Sequence, residues 1–154
     1  MTSSRRFAIK KLAACALLAS AGGLLTACQP DKPQFKAIDI TGADYAQGFQ
    51  LTDFNGRPRS LADYKGKVVV VFFGFTQCPD VCPTTMNEMA QVKKLLGTDG
   101  DKLQVVFITV DPERDTPEVL KAYMGSFDPT FTGLYAASPD ALAALAKDFK
   151  IYYK

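Results

Sequence analysis

The chain has 154 residues, 47% of them apolar and 22% charged, which fits one globular domain and excludes a disordered or low-complexity protein. The formal charge is +2, but the basic residues Arg5, Arg6, Lys10 and Lys11 all precede the first acid, Asp31; without residues 1–27, 14 basic residues face 16 acidic ones, a balance of −2. The basic character therefore belongs to the N-terminal segment, and nothing in the charge points to nucleic acid.

Residues 2–11 are polar and basic, and residues 12–25 form an apolar run of 14 residues. That is shorter than the ~20 residues a spanning helix needs, and it reads as an export signal. It ends on Leu25-Thr26-Ala27-Cys28, which resembles a bacterial lipobox. Cleavage before Cys28 and lipidation of its thiol are expected, each buried acyl CH2 contributing about 0.8 kcal/mol to anchoring. Ordinary cleavage near Ala27 and an uncleaved anchor are the alternatives. Ser4 to Lys10 also resembles a twin-arginine signal, with Ala8 where that pattern wants Phe.

Residues 28–48 are expected to be a tether and lead-in, and residues 49–154 the domain proper. Phe49-Gln50-Leu51-Thr52 alternates as a half-buried strand does. Asn55-Gly56 favours a tight hairpin after it. Residues 68–73 are β-branched and aromatic without alternation, which predicts a central strand covered on both faces. A helix is expected over 83–96, with Met86, Met89, Ala90, Val92 and Leu96 apolar and Gly97 as its stop. Residues 103–110 predict a second buried strand. Thr116-Pro117 opens a helix to about Phe127, Thr as cap and Pro at the first position. Residues 130–136 predict a third strand, and Ser138-Pro139-Asp140 caps a last helix ending near Phe149. A strand, a cysteine-bearing turn, a helix, a parallel strand and another helix describe a thioredoxin-like α/β unit.

The chemistry concentrates at Cys78-Pro79-Asp80-Val81-Cys82-Pro83. Cys15 lies in the apolar signal and Cys28 at its end, so Cys78 and Cys82 are the thiols left in the exported chain, where disulfides persist. Each precedes a proline, and a residue before proline is pushed from the α region. The helix is therefore expected to start at Pro83, with Cys82 as its cap and Cys78 on the loop before it. The helix dipole and backbone N–H groups there favour thiolate. Such a pair can bind Cu(I) or close to a disulfide. A disulfide that only staples the fold is a weaker reading, because so short a loop gains little chain entropy.

A second stretch, Asp111 to Pro117, follows the strand ending at Val110. The carboxyl edge of a parallel sheet is where sites gather. Glu113 and Arg114 read as solvated charges. Asp111 is expected to point back towards the cysteine loop.

Gly74-Phe75-Thr76-Gln77-Cys78-Pro79-Asp80-Val81-Cys82-Pro83, taken with Thr109-Val110-Asp111-Pro112-Glu113-Arg114-Asp115-Thr116-Pro117, resembles the Sco/SenC family of copper proteins. The resemblance runs from about Phe49 to Lys154. It implies a thioredoxin-like fold, membrane attachment on the periplasmic side, and delivery of copper to the CuA-bearing subunit of cytochrome c oxidase, or reduction of that centre's thiols. It implies Cys78 and Cys82 as sulfur ligands and Asp111 as an acidic neighbour of the site. Such a protein is a metallochaperone with possible thiol reductase activity, working with thiol reductants, rather than an ordinary enzyme.

The family also has a histidine ligand on a later loop, and this sequence contains no histidine. The expectation is a domain incomplete at its C-terminal end, with an open sheet edge. Two thiolates suit Cu(I), whereas Cu(II) prefers nitrogen and oxygen ligands and is doubtful here. The rival readings are an extracytoplasmic thiol-disulfide oxidoreductase without a stable metal site, a peroxidase, and a purely structural lipoprotein. The first lacks the Trp usual before such a motif. The second wants a hydroxyl three residues before the cysteine, and Thr76 stands two before Cys78.

Overall fold

The computed structural model describes residues 35–153. The export segment, Cys28 and the first part of the tether lie outside the described residues. The chain divides into two compact units, one ending at Thr41 and the other beginning at Gly42. In the first, Asp39 accepts hydrogen bonds from the Thr41 N–H at 2.9 Å and the Thr41 hydroxyl at 2.6 Å. The second is the domain. Its lead-in is tied down where the Ala46 N–H donates to the Asp148 carbonyl at 3.3 Å.

Strands β1 (Gln50–Asp53) and β2 (Pro58–Ser60) form the expected hairpin, with Gln50 opposite Ser60. Gly56 takes the positive φ the turn requires, +78°. Asp53, 1% exposed, holds the turn from inside: its carboxylate accepts from the N–H of Asn55 at 2.8 Å and of Arg57 at 3.0 Å, and from the Arg59 Nε–H at 2.9 Å. A short 3-10 turn, Leu61–Tyr64, leads into β3 (Val68–Gly74). Helix α1 (Val81–Leu95) returns over the sheet, and a second 3-10 stretch, Gly97–Lys102, opens β4 (Leu103–Thr109). Helix α2 (Pro117–Gly125), β5 (Thr132–Tyr135) and α3 (Pro139–Asp148) complete the order. Both later helices start as expected, with Thr116 accepting from the Val119 N–H at 3.4 Å and Ser138 from the Ala141 N–H at 3.2 Å.

The strands lie in the order β2-β1-β5-β4-β3. β3, β4 and β5 are parallel, as helical crossovers demand, and β1 joins them antiparallel to β5, with β2 antiparallel to β1 in turn. The side-chain alternation of β4 splits the core. Val105 and Phe107 face α1 and α2 and pack with Cys82, Met86, Leu120, Met124 and Phe131. Val106 and Ile108 face the other way and pack with Phe49, Leu51, Leu134 and Leu142. All seven residues of β4 are buried, and each large apolar side chain taken from water contributes about 1.5–3 kcal/mol.

The expectation for β3 needs correction. The central, covered strand is β4; among the described residues β3 has β4 as its sheet neighbour and stands at the edge. Its side chains are half-buried and Val68 is 67% exposed. An unbroken apolar run reports that both faces meet hydrophobic neighbours, which is true here: Val69, Val71 and Phe73 pack on one face and Val70 and Phe72 on the other. It carries no information on how many strands flank it.

β3 and β4 run in register from Val68 opposite Leu103 to Gly74 opposite Thr109, so their carboxyl ends finish level. The Val110 N–H donates to the Gly74 carbonyl at 2.9 Å. The loop carrying Cys78 and the loop carrying Asp111 and Asp115 are thereby held side by side.

Candidate metal centre

After Gly74 the chain turns through a loop closed by the Cys78 N–H on the Phe75 carbonyl at 3.2 Å. Asp80 caps α1, and its carbonyl accepts from the Thr84 N–H at 3.1 Å. Cys82 is therefore the second residue of the helix and not its cap, and the helix begins at Val81 rather than Pro83. The first N–H groups of a helix have no intrahelical partner, so Pro83 loses nothing in the first turn, and the bias it imposes on Cys82 is outweighed.

This placement brings the Cys82 backbone to the Cys78 sulfur. Both cysteines are free thiols, Cys78 half-buried and Cys82 buried at 5% exposure. The Cys82 N–H donates to the Cys78 Sγ at 3.4 Å. The two thiols do not share one electrostatic character, contrary to the expectation that the helix mouth favours thiolate at both. Hydrogen bonds from the Cys82 thiol, and then from the Cys82 N–H, hold Cys78 below the ordinary thiol value. Burial, and then the Cys78 sulfur, push Cys82 up to about 11. Cys78 is thus the more accessible and more acidic thiol, and Cys82 the buried, less acidic one.

Gly74 makes room for that partner. A Cβ there would lie 3.0 Å from the Cys82 Sγ, 3.0 Å from Phe107 and 2.8 Å from Phe72. The Phe107 ring links the sulfur to Tyr123, whose ring centroid lies 5.6 Å away. The Tyr123 hydroxyl is buried without a partner; burial, then the two cysteine sulfurs, push it up to about 12.

Asp111 lines the same cavity of about 540 Å³ as Cys82, with Gly74, Phe75, Arg114 and Tyr152. Its carboxylate pairs with the guanidinium of Arg114, so Arg114 is not the purely solvated charge that the sequence suggests. The acid that reaches the cysteine loop is Asp115. It is 2% exposed and accepts from the Thr76 N–H at 3.0 Å, the Thr76 hydroxyl at 2.5 Å and the Thr109 hydroxyl at 2.6 Å. Sequence reasoning missed Asp115, Gly74 and Tyr123. Gly74 carried a usable sign, a glycine ending a bulky strand, which marks close approach of another group. Asp115 carried none, because its burial comes from contacts 39 residues apart.

Among the described residues no group of three or more His, Cys, Asp or Glu is gathered for a metal. The donor set among the described residues is two sulfurs, one held below the ordinary thiol value, and sulfur donors suit a soft monovalent ion.

A family model for SCO1/SenC matches residues 38–154. The SCO2-like protein of Rickettsia felis is 36% identical over 150 residues, spanning 94% of this chain and 73% of that protein. The structure of Bradyrhizobium japonicum ScoI with copper bound is similar with a TM-score of 0.64 and 46% identity, over 70% of this chain and 68% of the other. BsSco, a member of the Sco family of cytochrome c oxidase assembly proteins in which a disulfide switch was identified, is similar with a TM-score of 0.59 and 26% identity, over 71% and 66%. The fold is the thioredoxin-like α/β arrangement of these proteins, and the chain belongs to the SCO1/SenC family.

Proposed function

We propose that this protein carries copper as Cu(I) between Cys78 and Cys82 and serves cytochrome c oxidase assembly, passing the ion to the CuA-bearing subunit or reducing that centre's thiols. The observation that carries the reading is the pair itself: two free thiols at the mouth of a helix, with the Cys82 N–H donating to the Cys78 Sγ at 3.4 Å. The copper-bound ScoI relative and the role of the BsSco family support it. Cu(I) binding replaces the proton of Cys82, so uptake releases a proton and the ion leaves again when a better chelate and a proton arrive together. Asp111 acts from behind the sulfurs, because a carboxylate is a poor ligand for Cu(I). Lipid on Cys28 holds the chain at the periplasmic face of a membrane.

The unequal thiols favour a second reading, thiol-disulfide exchange, in which Cys78 attacks and Cys82 resolves. A competition titration with a Cu(I) chelator separates the two. The reduced wild type should take one Cu(I), and Cys82→Ser should lose more than about 100-fold in affinity, beyond the ~10–100-fold of a change behind the ligands. Asp111→Ala should stay within that smaller range. Equal affinity in wild type and Cys82→Ser removes the copper reading and leaves exchange in front.

A further inference from the structure

We propose that Asp115 is the positioning residue of the cysteine pair: its buried carboxylate fixes the loop that carries Cys78 and so sets how readily the two sulfurs act together. The inference rests on the reading of Cys78 and Cys82 as the working pair. Asp115 is 2% exposed and Thr109 fully buried. All the hydrogen-bond partners of the carboxylate are neutral donors: the Thr76 N–H, the Thr76 hydroxyl and the Thr109 hydroxyl. Burying a carboxylate costs several kcal/mol unless hydrogen bonds replace water, and bonds to an ionised acceptor are about twice as strong as neutral ones. The loop is thus clamped at Thr76, two residues before Cys78, by bonds from its N–H and its hydroxyl to a buried carboxylate.

The clamp has two fixed ends. Thr109 closes β4, and its hydroxyl also accepts from the Asp111 N–H at 3.0 Å. The Asp115 N–H in turn donates to the Asp111 carbonyl at 3.0 Å. Cys82 is fixed independently, by α1 and by the packing around Gly74. Cys78 lies on the loop before the helix, and what holds that loop is the turn from Phe75 and the clamp on Thr76.

Closing a chelate or a disulfide is an intramolecular step whose strength follows the effective concentration of one sulfur at the other. In oxidation the two thiols give up two protons and two electrons, an S–S bond forms, and a small-molecule disulfide such as oxidised glutathione accepts them and splits into two thiols. A loop released at Thr76 spreads the Cys78 sulfur over more positions and weakens closure.

The test is a redox titration of the metal-free protein in glutathione buffers, with thermal unfolding of each variant alongside. Asp115→Ala should shift the equilibrium about tenfold towards the dithiol, the size of one lost bond to a charged acceptor. Asp115→Asn should recover much of that, because its amide oxygen still accepts from Thr76. Thr109→Val removes one end of the clamp and leaves the Thr76 bonds in place; it should lower the melting temperature and shift the equilibrium the same way by less than Asp115→Ala. A merely structural acid would move melting alone, so a folded Asp115→Ala with the wild-type equilibrium overturns the proposal. If Asp115→Ala does not fold, Thr76→Val decides: a shift towards the dithiol supports the clamp and a wild-type equilibrium overturns it. A wild type that closes no disulfide in any buffer overturns the exchange reading and this proposal together, whereas a cycling wild type with unaltered variants overturns the positioning role alone.

Discussion

Gly74→Ala tests whether the cysteine site is packed as tightly as its geometry says. The added methyl would stand 2.8 Å from Phe72, 3.0 Å from the Cys82 Sγ and 3.0 Å from Phe107. Ordinary contact begins near 3.4 Å, so each neighbour must retreat by about half an ångström. Phe107 is fully buried and has nowhere to retreat, whereas Phe72 and Cys82 border the cavity, so the strain falls chiefly on Phe107. Overpacking of this kind costs about 1–3 kcal/mol, and the lower entropy of the unfolded alanine chain returns ~0.4–1 kcal/mol. A net loss of about 1–2 kcal/mol lowers the melting temperature by roughly 2–8 °C in a domain of this size. Because the sulfur itself is pushed, Cu(I) affinity should fall as well. Thermal unfolding by circular dichroism under reducing conditions and a Cu(I) competition titration read the two effects. Gly125→Ala is the control: nothing lies within 4 Å of its added methyl, and it stands at the end of α2, where alanine is neutral or stabilising by up to ~1 kcal/mol. If Gly74→Ala melts with the control and binds Cu(I) like the wild type, the packing argument is wrong.

The thiols should label in order, Cys78 first and Cys82 only as the pH nears about 11, read by mass spectrometry after brief alkylation; simultaneous labelling near neutral pH would contradict the assignment. Since the folded-state value of Cys82 lies above the ordinary 9.0, its share of stability is complete below 9.0 and is lost as the pH rises towards 11, with Tyr123 adding to the loss above 10.0. Burial alone would raise Asp53, but hydrogen bonds from Arg57, Arg59 and Asn55 outweigh it and hold the carboxyl below its ordinary 3.8. Its contribution is therefore present above 3.8 and lost as the pH falls; Asp53→Asn should cost about 1.5–3 kcal/mol in denaturant unfolding at neutral pH, and an unchanged midpoint would dismiss the hairpin role. Cys28 should carry acyl chains at the N-terminus of the membrane-extracted protein, and a mature chain starting elsewhere counts against the anchor.

What the sequence made legible was local. The Asn55-Gly56 turn, the Thr116-Pro117 and Ser138-Pro139 helix starts and the buried run of β4 each depend on a few adjacent residues, and each forms as expected. The cysteine spacing likewise announced the paired sulfurs. The other features turned on distant neighbours or, at the start of α1, on a choice between adjacent caps. β3 looks central because both its faces are apolar, yet strand order is decided by which strands pair along its edges. Cys82 looked like a cap because proline biases the residue before it, yet Asp80 takes that place and the helix absorbs Pro83 in its first turn. Asp111 borders the cavity that Cys82 lines, and the buried Asp115 was missed because it is found only once Thr76 and Thr109 are brought together in space.

The alternation of β4 divides the protein into two compartments with different duties. Every sulfur–core contact described lies on the α1/α2 side, with Val105 and Phe107, while Val106 and Ile108 look into a core built with Leu134 and Leu142. The sheet acts as a bulkhead between them. Substitutions in the α3-side core can raise or lower the folding free energy while leaving the sulfur geometry alone. That compartment is where an engineer seeking robustness would start, because the sulfurs pack on the α1/α2 side.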